Sequence, residues 1–92
     1  MKAALHAYFE RLDRHLAETS PAQRIRLIDD ERRRVDRLEC ALADWTARTH
    51  CNAGPPTRFS AFDLAILHGE LSIRLERARE SEKLSRLETS RA

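Results

Sequence analysis

Only two glycines and three prolines interrupt the 92 residues, and the prolines sit in two places, Pro21 and the Pro55-Pro56 pair. Two long stretches therefore lack a strong breaker, which argues against an all-β fold with its frequent turns. Cysteine is equally scarce. Cys40 and Cys51 cannot form a disulfide framework, so a cytoplasmic protein with reduced thiols is the expectation. No run of about 18 apolar residues exists, so no membrane span is expected. The N-terminal Met1-Lys2-Ala3-Ala4-Leu5-His6 reaches Glu10, Arg11 and Asp13 before any apolar signal region can form, so no signal peptide is expected. Charge of one sign is missing too: seventeen basic residues meet fifteen acidic ones, for a net charge of +2. Nucleic-acid binders carry a basic excess or stripe, so direct nucleic-acid binding is not expected.

What the chain does have is apolar residues (41%) and an unusual share of charge (35%), above the usual quarter. That composition suits long helices with large solvated faces, and the length suits one domain with a modest core. In the first segment, about residues 2–18, Leu5, Phe9, Leu12 and Leu16 recur in steps of four, three and four, with Tyr8 beside them. This is one buried helical stripe, from which Asp13, Arg14 and Glu18 face away. Ser20-Pro21-Ala22-Gln23 then reads as a helix start, with Ser20 as N-cap, Pro21 in the first turn and Gln23 in the capping-box position. The second helix, about 21–49, carries Ile28, Val35 and Leu42 seven apart, and Leu38 and Trp45 seven apart. That is a coiled-coil-like seam, thin around Glu31.

Gly54-Pro55-Pro56 stops this helix. Ser60 restarts the chain as an N-cap with Asp63 three residues on, and Phe59 and Leu64 stand as a hydrophobic staple. Helix three is expected over about 61–88. Leu64, Leu67, His68, Leu71, Leu75 and Ala78 form one stripe, and Phe62, Ile66, Gly69 and Ile73 a second. A helix apolar on most of its circumference is buried on several sides. Beyond Leu75 the chain turns highly charged, helical or frayed, with Glu82 and Arg86 as an i,i+4 pair. The two long helices should fold back as an antiparallel hairpin, with helix one lying across or along it. The fold class is thus all-α, three helices. Helix three offers more apolar surface than its neighbours can cover, so a homodimer is expected in which it meets its symmetry mate as a helical bundle.

Candidate chemistry is thin. His50-Cys51 invites a metal or nucleophile reading, but neither the Cys-x2-4-Cys nor the His-x3-5-His spacing of zinc sites occurs, and a catalytic cysteine needs a base and an orienting group. No catalytic residue, metal, cofactor or small-molecule substrate is assigned. His68 reads as a core or interface histidine. Arg32-Arg33-Arg34, interleaved with Asp29, Asp30, Glu31 and Asp36, reads as a salt-bridged face or a site for an acidic protein partner. Trp45 reads as a core anchor or, alternatively, an exposed interface anchor. The candidate partner-binding or dimer residues are Phe62, Leu64, Ile66, Leu67, Leu71, Ile73, Trp45, Arg32, Arg33 and Arg34.

Residues 32–72 resemble the TraM-like antiactivators of quorum sensing. The resembling residues are Arg32-Arg33-Arg34-Val35-Asp36-Arg37, then Cys51 shortly before Gly54-Pro55, then His68-Gly69-Glu70-Leu71-Ser72. The family's first helix-to-loop stretch is longer, and it ends apolar where this chain ends charged. The resemblance implies a dimer of helical hairpins that binds and silences a LuxR-type transcription activator by occluding its DNA-binding surface. Pattern points to a non-enzymatic protein–protein interaction module in the cytoplasm, and the resemblance implies a bacterial regulator. A small secretion chaperone or assembly subunit is the alternative, and a DNA-binding accessory protein a lesser one.

Overall fold

The computed structural model describes residues 3–48 and 54–91. They form three helices and, among the described residues, no strand: α1 (Ala3–Ala17), α2 (Pro21–Ala47) and α3 (Ala61–Arg91). α2 ends two residues before the expected 49. α3 runs on past 88 through the charged segment, which is helical rather than frayed.

Both helix starts are fixed by local chemistry. The Gln23 backbone N–H donates to Ser20 Oγ (3.3 Å), and the Ser20 N–H donates to Gln23 Oε1 (3.1 Å). Pro21 occupies the first turn, where its missing N–H has no partner to lose. Ser60 and Asp63 make the same reciprocal pair, each bond 3.1 Å. Phe59 packs against the core that holds Leu64. The tight α1–α2 corner is tied by Leu16, whose carbonyl accepts from Thr19 Oγ1 (2.9 Å) and from Arg24 Nε (2.7 Å). Backbone carbonyls at a helix end have no intrahelical donor, and these two bonds supply one.

α2 and α3 pack as an antiparallel hairpin. Asp36 of α2 meets His68 of α3, Leu42 and Leu64 line one groove near the connection, and Ile28 and Ala78 line a cleft nearer the far end. α1 lies along the hairpin, antiparallel to α2. The seam fills as its spacing requires: Ile28 and Val35 are buried, while Leu38 and Leu42 pack half-buried against the core. Leu5, Phe9 and Leu16 close it from α1, and Leu64, Leu67, Leu71, Leu75 and Ala78 from α3. At the thin point Glu31 is engaged from α1, accepting the Tyr8 hydroxyl hydrogen bond. Burial and then that bond to a carboxylate hold the Tyr8 pKa well above its usual value.

Asp13, expected to face away, instead ties α1 to α3. Arg74 Nε and Nη2 donate to its two carboxylate oxygens at 2.7 and 2.9 Å, and Arg74 Nη1 reaches Glu70 Oε2 at 2.9 Å. The same guanidinium lies 4.5 Å from the centre of the Phe9 ring, a cation–π distance. The Arg74 hydrogen bond holds the Asp13 carboxyl below the ordinary carboxylate range. A depressed folded-state pKa contributes stability above the unfolded value, about 3.9 for Asp, and loses it as pH falls through the folded value. Asp13 is about half exposed, so solvent screens the pair. Asp13→Asn is expected to lower stability by about 1 kcal/mol or less, and its acid unfolding curve should flatten relative to wild type below about pH 4. Urea titrations at pH 7 and pH 3 check both.

The molecule is elongated, 63 × 23 × 16 Å. Ser81 lines the cleft with Arg24, one turn from the start of α2. The last two turns of α3, from about Leu84, therefore project beyond the hairpin with no helix opposite them among the described residues.

Candidate protein-docking surface

α3 uses its two apolar stripes differently. Leu64, Leu67, Leu71 and Leu75 point into the hairpin and α1. The stripe carried by Phe62, Ile66, Gly69 and Ile73 does not: Phe62 is 74% exposed, Ile73 45%, Gly69 exposed and Ile66 half-buried. At 3.6 residues per turn, positions 62, 66, 69, 73, 76, 80, 84 and 87 share one helical face. Along it, four apolar positions are followed by Glu76 and Glu80 and then by Leu84 (61% exposed) and Leu87 (48%). The exposed large apolar side chains among the described residues, Phe62, Ile73, Leu84 and Leu87, all lie on this outer face. Exposed apolar residues grouped in this way mark interaction sites, whereas single ones do not.

Three of the expected interface residues are thereby corrected. Leu67 and Leu71 are enclosed in the chain's own core, and Leu64 is buried there while lining a groove at the hairpin's closed end. Their stripe is the one α2 and α1 cover. Phe62, Ile66 and Ile73 share the outer face. Trp45 sits half-buried near the end of α2. The three arginines do not form a patch, because consecutive helical residues diverge by about 100°. Arg33 pairs with Asp29 (3.1 Å) and Arg34 lies 3.8 Å from Glu31, while Arg32 is half-buried, its Nε enclosed without a hydrogen-bond partner. His68 is half-buried with Nε2 3.5 Å from Asp36 Oδ1, a histidine beside a carboxylate. His50 and Cys51 lie outside the described residues. Among the described residues no three His, Cys, Asp or Glu side chains gather as a metal site would need, and no helix is long and apolar enough to cross a membrane.

Two features escaped the sequence reading. Leu84 and Leu87 are set among charges, and only their three-residue spacing in phase with Ile73 betrays them. The second is an apolar groove of about 470 Å³ between the end of α2 and the start of α3. It is lined by Leu42, Ala43, Thr46, Ala47, Ala61 and Leu64, with Glu39 on its rim. Its signal was the cluster of alanines at the hairpin's closed end, where small side chains leave a hollow.

No family model matches the chain, and neither a curated protein nor a solved structure matches it.

Proposed function

We propose that this protein is a small, non-enzymatic regulator that docks another protein onto the outer face of α3. The observation that carries this is the surplus of Phe62 and Ile73, exposed on one face of α3 beside a half-buried Ile66, outside a core already filled by Leu64, Leu67, Leu71 and Leu75. Burial returns roughly 25 cal/mol per Å² of apolar surface, so such a face gains most from a partner helix or apolar strip laid along it.

The most specific form of this reading is an antiactivator that works in the cytoplasm. It holds a LuxR-type transcription activator away from DNA, as the resemblance over residues 32–72 implies. The test is reconstitution: the purified protein is added to a LuxR-type activator from the same cell, bound to its operator, and the DNA complex is followed by gel shift. Release of the DNA by wild type but not by Phe62→Asp/Ile73→Asp supports the reading. Release by both, or by neither, contradicts it.

Gly69 offers a finer probe of the same surface. A Cβ built there meets nothing within 4 Å, so nothing in the isolated fold requires glycine. Gly69→Ala is expected to stabilise the protein by about 0.5–1 kcal/mol, the usual helix-interior difference. The same methyl should weaken docking if a partner backbone approaches closely at this point of the face. Thermal melts and binding titrations read the two effects separately.

A further inference from the structure

We propose that the segment docking on the outer face of α3 is an amphipathic helix of another protein, its apolar stripe interrupted midway by two basic residues one turn apart. This rests on the docking role proposed for that face and names the chemistry of what docks there.

The face has the spacing of a helix–helix seam. Phe62, Ile66, Gly69, Ile73, Glu76 and Glu80 follow one another in alternating steps of four and three, the pattern that keeps side chains turned toward one neighbouring helix. Leu84 and Leu87 continue the line. From position 62 to 87 the rise is roughly 37 Å at 1.5 Å per residue, so the matching partner is a helix of about seven turns. The apolar positions stand at the two ends of the seam and the two carboxylates between them. Phe62, Ile73, Leu84 and Leu87 are exposed, and so are Glu76 and Glu80. No helix can cover both apolar ends without passing over both glutamates.

That passage decides the partner's chemistry. A carboxylate covered by an apolar side chain loses its water and gains no bond in return. Covered by a lysine or arginine, it accepts a charge-assisted hydrogen bond. At 100° per residue, Arg77 falls on one edge of the face and Lys83 on the other, and both are exposed. They stay at the rim in water and repel cations from the partner's edges, so basic residues fit only along the centre. The pair also sets register, as polar residues within a seam do. Sliding the partner by one turn puts one of its cations against Ile73 or Leu84.

A second copy of α3 does not meet this need. Paired in parallel, it sets Glu76 and Glu80 against their own counterparts. Paired antiparallel with Phe62 opposite Leu87, it sets Glu76 against Ile73 and Glu80 against Gly69. Neither arrangement brings a cation to either carboxylate, so the occupant that fits is a different chain.

The test is fluorescence anisotropy of dilute, dye-labelled synthetic helices, about seven turns long, titrated with the full-length chain. Three peptides share leucines at both ends of the seam and differ only in two central seam residues four apart: Lys/Lys, Gln/Gln or Glu/Glu. Wild type should bind the Lys peptide at least about tenfold more tightly than the Glu peptide, with the Gln peptide between them. Glu76→Lys/Glu80→Lys should reverse that order, with circular dichroism confirming its helical fold. Phe62→Ser/Ile73→Ser, which removes apolar contact without adding charge, should weaken the Lys peptide at least about thirtyfold. Equal binding of the three peptides, lost in Phe62→Ser/Ile73→Ser, overturns the basic-helix assignment and leaves the docking face standing. Binding of the Lys peptide unchanged by Phe62→Ser/Ile73→Ser overturns both. The proposal also falls if wild type binds none of the peptides, or sediments as a dimer that Phe62→Ser/Ile73→Ser dissociates.

Discussion

Leu71→Ala is expected to lower the unfolding free energy by about 2–5 kcal/mol, the range for truncating a fully buried leucine. Leu71 is wholly enclosed on the inner stripe of α3. A three-helix chain has few layers through which to collapse around the missing atoms, and the cavity they leave adds to the lost transfer energy. For a domain of this size each kcal/mol moves the melting midpoint by about 4–8 °C, so a drop of at least about 10 °C should appear in a circular dichroism melt. Leu84→Ala is the matched control. It removes the same atoms from a position 61% exposed, and surface changes of this kind stay within about 0.5 kcal/mol. Equal losses from the two substitutions would mean that the inner and outer surfaces of α3 are not distinguished as described here.

The opposite pattern is expected on the outer face. Phe62→Asp/Ile73→Asp should leave the melting midpoint within a few degrees of wild type, because neither side chain helps close the core. It should weaken partner binding by about thirtyfold or more, the loss that follows when a central apolar anchor worth 2 kcal/mol or more is removed. The two aspartates add to this by placing charge where a partner would bury apolar surface, and an unpaired charge in such a place costs more than the lost contact. Calorimetric titration of the partner identified in the gel-shift experiment measures the binding loss, and a melt of the same sample measures stability. Unchanged affinity would remove the outer face from the function. A collapsed melt would instead show that Phe62 and Ile73 belong to the fold.

Much of the architecture was legible because its determinants are local or periodic. Ser20 with Gln23, and Ser60 with Asp63, lie three residues apart and need no knowledge of the rest of the chain. The seven-residue spacing of Ile28, Val35 and Leu42 names the face of α2 that packs inward, and the breaker cluster Gly54-Pro55-Pro56 marks where the hairpin turns. The pairings across helices were not legible. Asp13 and Arg74 are 61 residues apart, and Tyr8 and Glu31 23 apart, so nothing in the local pattern singles out either pair from the many charges on solvated faces. The same limit explains the mixed outcome on α3. Periodicity shows that two stripes are apolar, but not which one α2 and α1 occupy. Leu64, Leu67 and Leu71 were grouped with Phe62, Ile66 and Ile73 when only the latter three share the outer face. Leu84 and Leu87 were masked by the charges around them, and the groove beside Ala43 and Ala61 exists only once two helices are set side by side.

The most direct test of the docking face is a footprint at atomic resolution. Isoleucine methyl resonances of the protein are followed while the activator is titrated in. Ile66 and Ile73 should shift or broaden, whereas Ile28, enclosed between the helices, should hold its position. Shifts confined to α2 around Arg33 and Arg34, with Ile66 and Ile73 unmoved at saturation, would contradict the assignment of the outer face of α3 as the place where a partner binds.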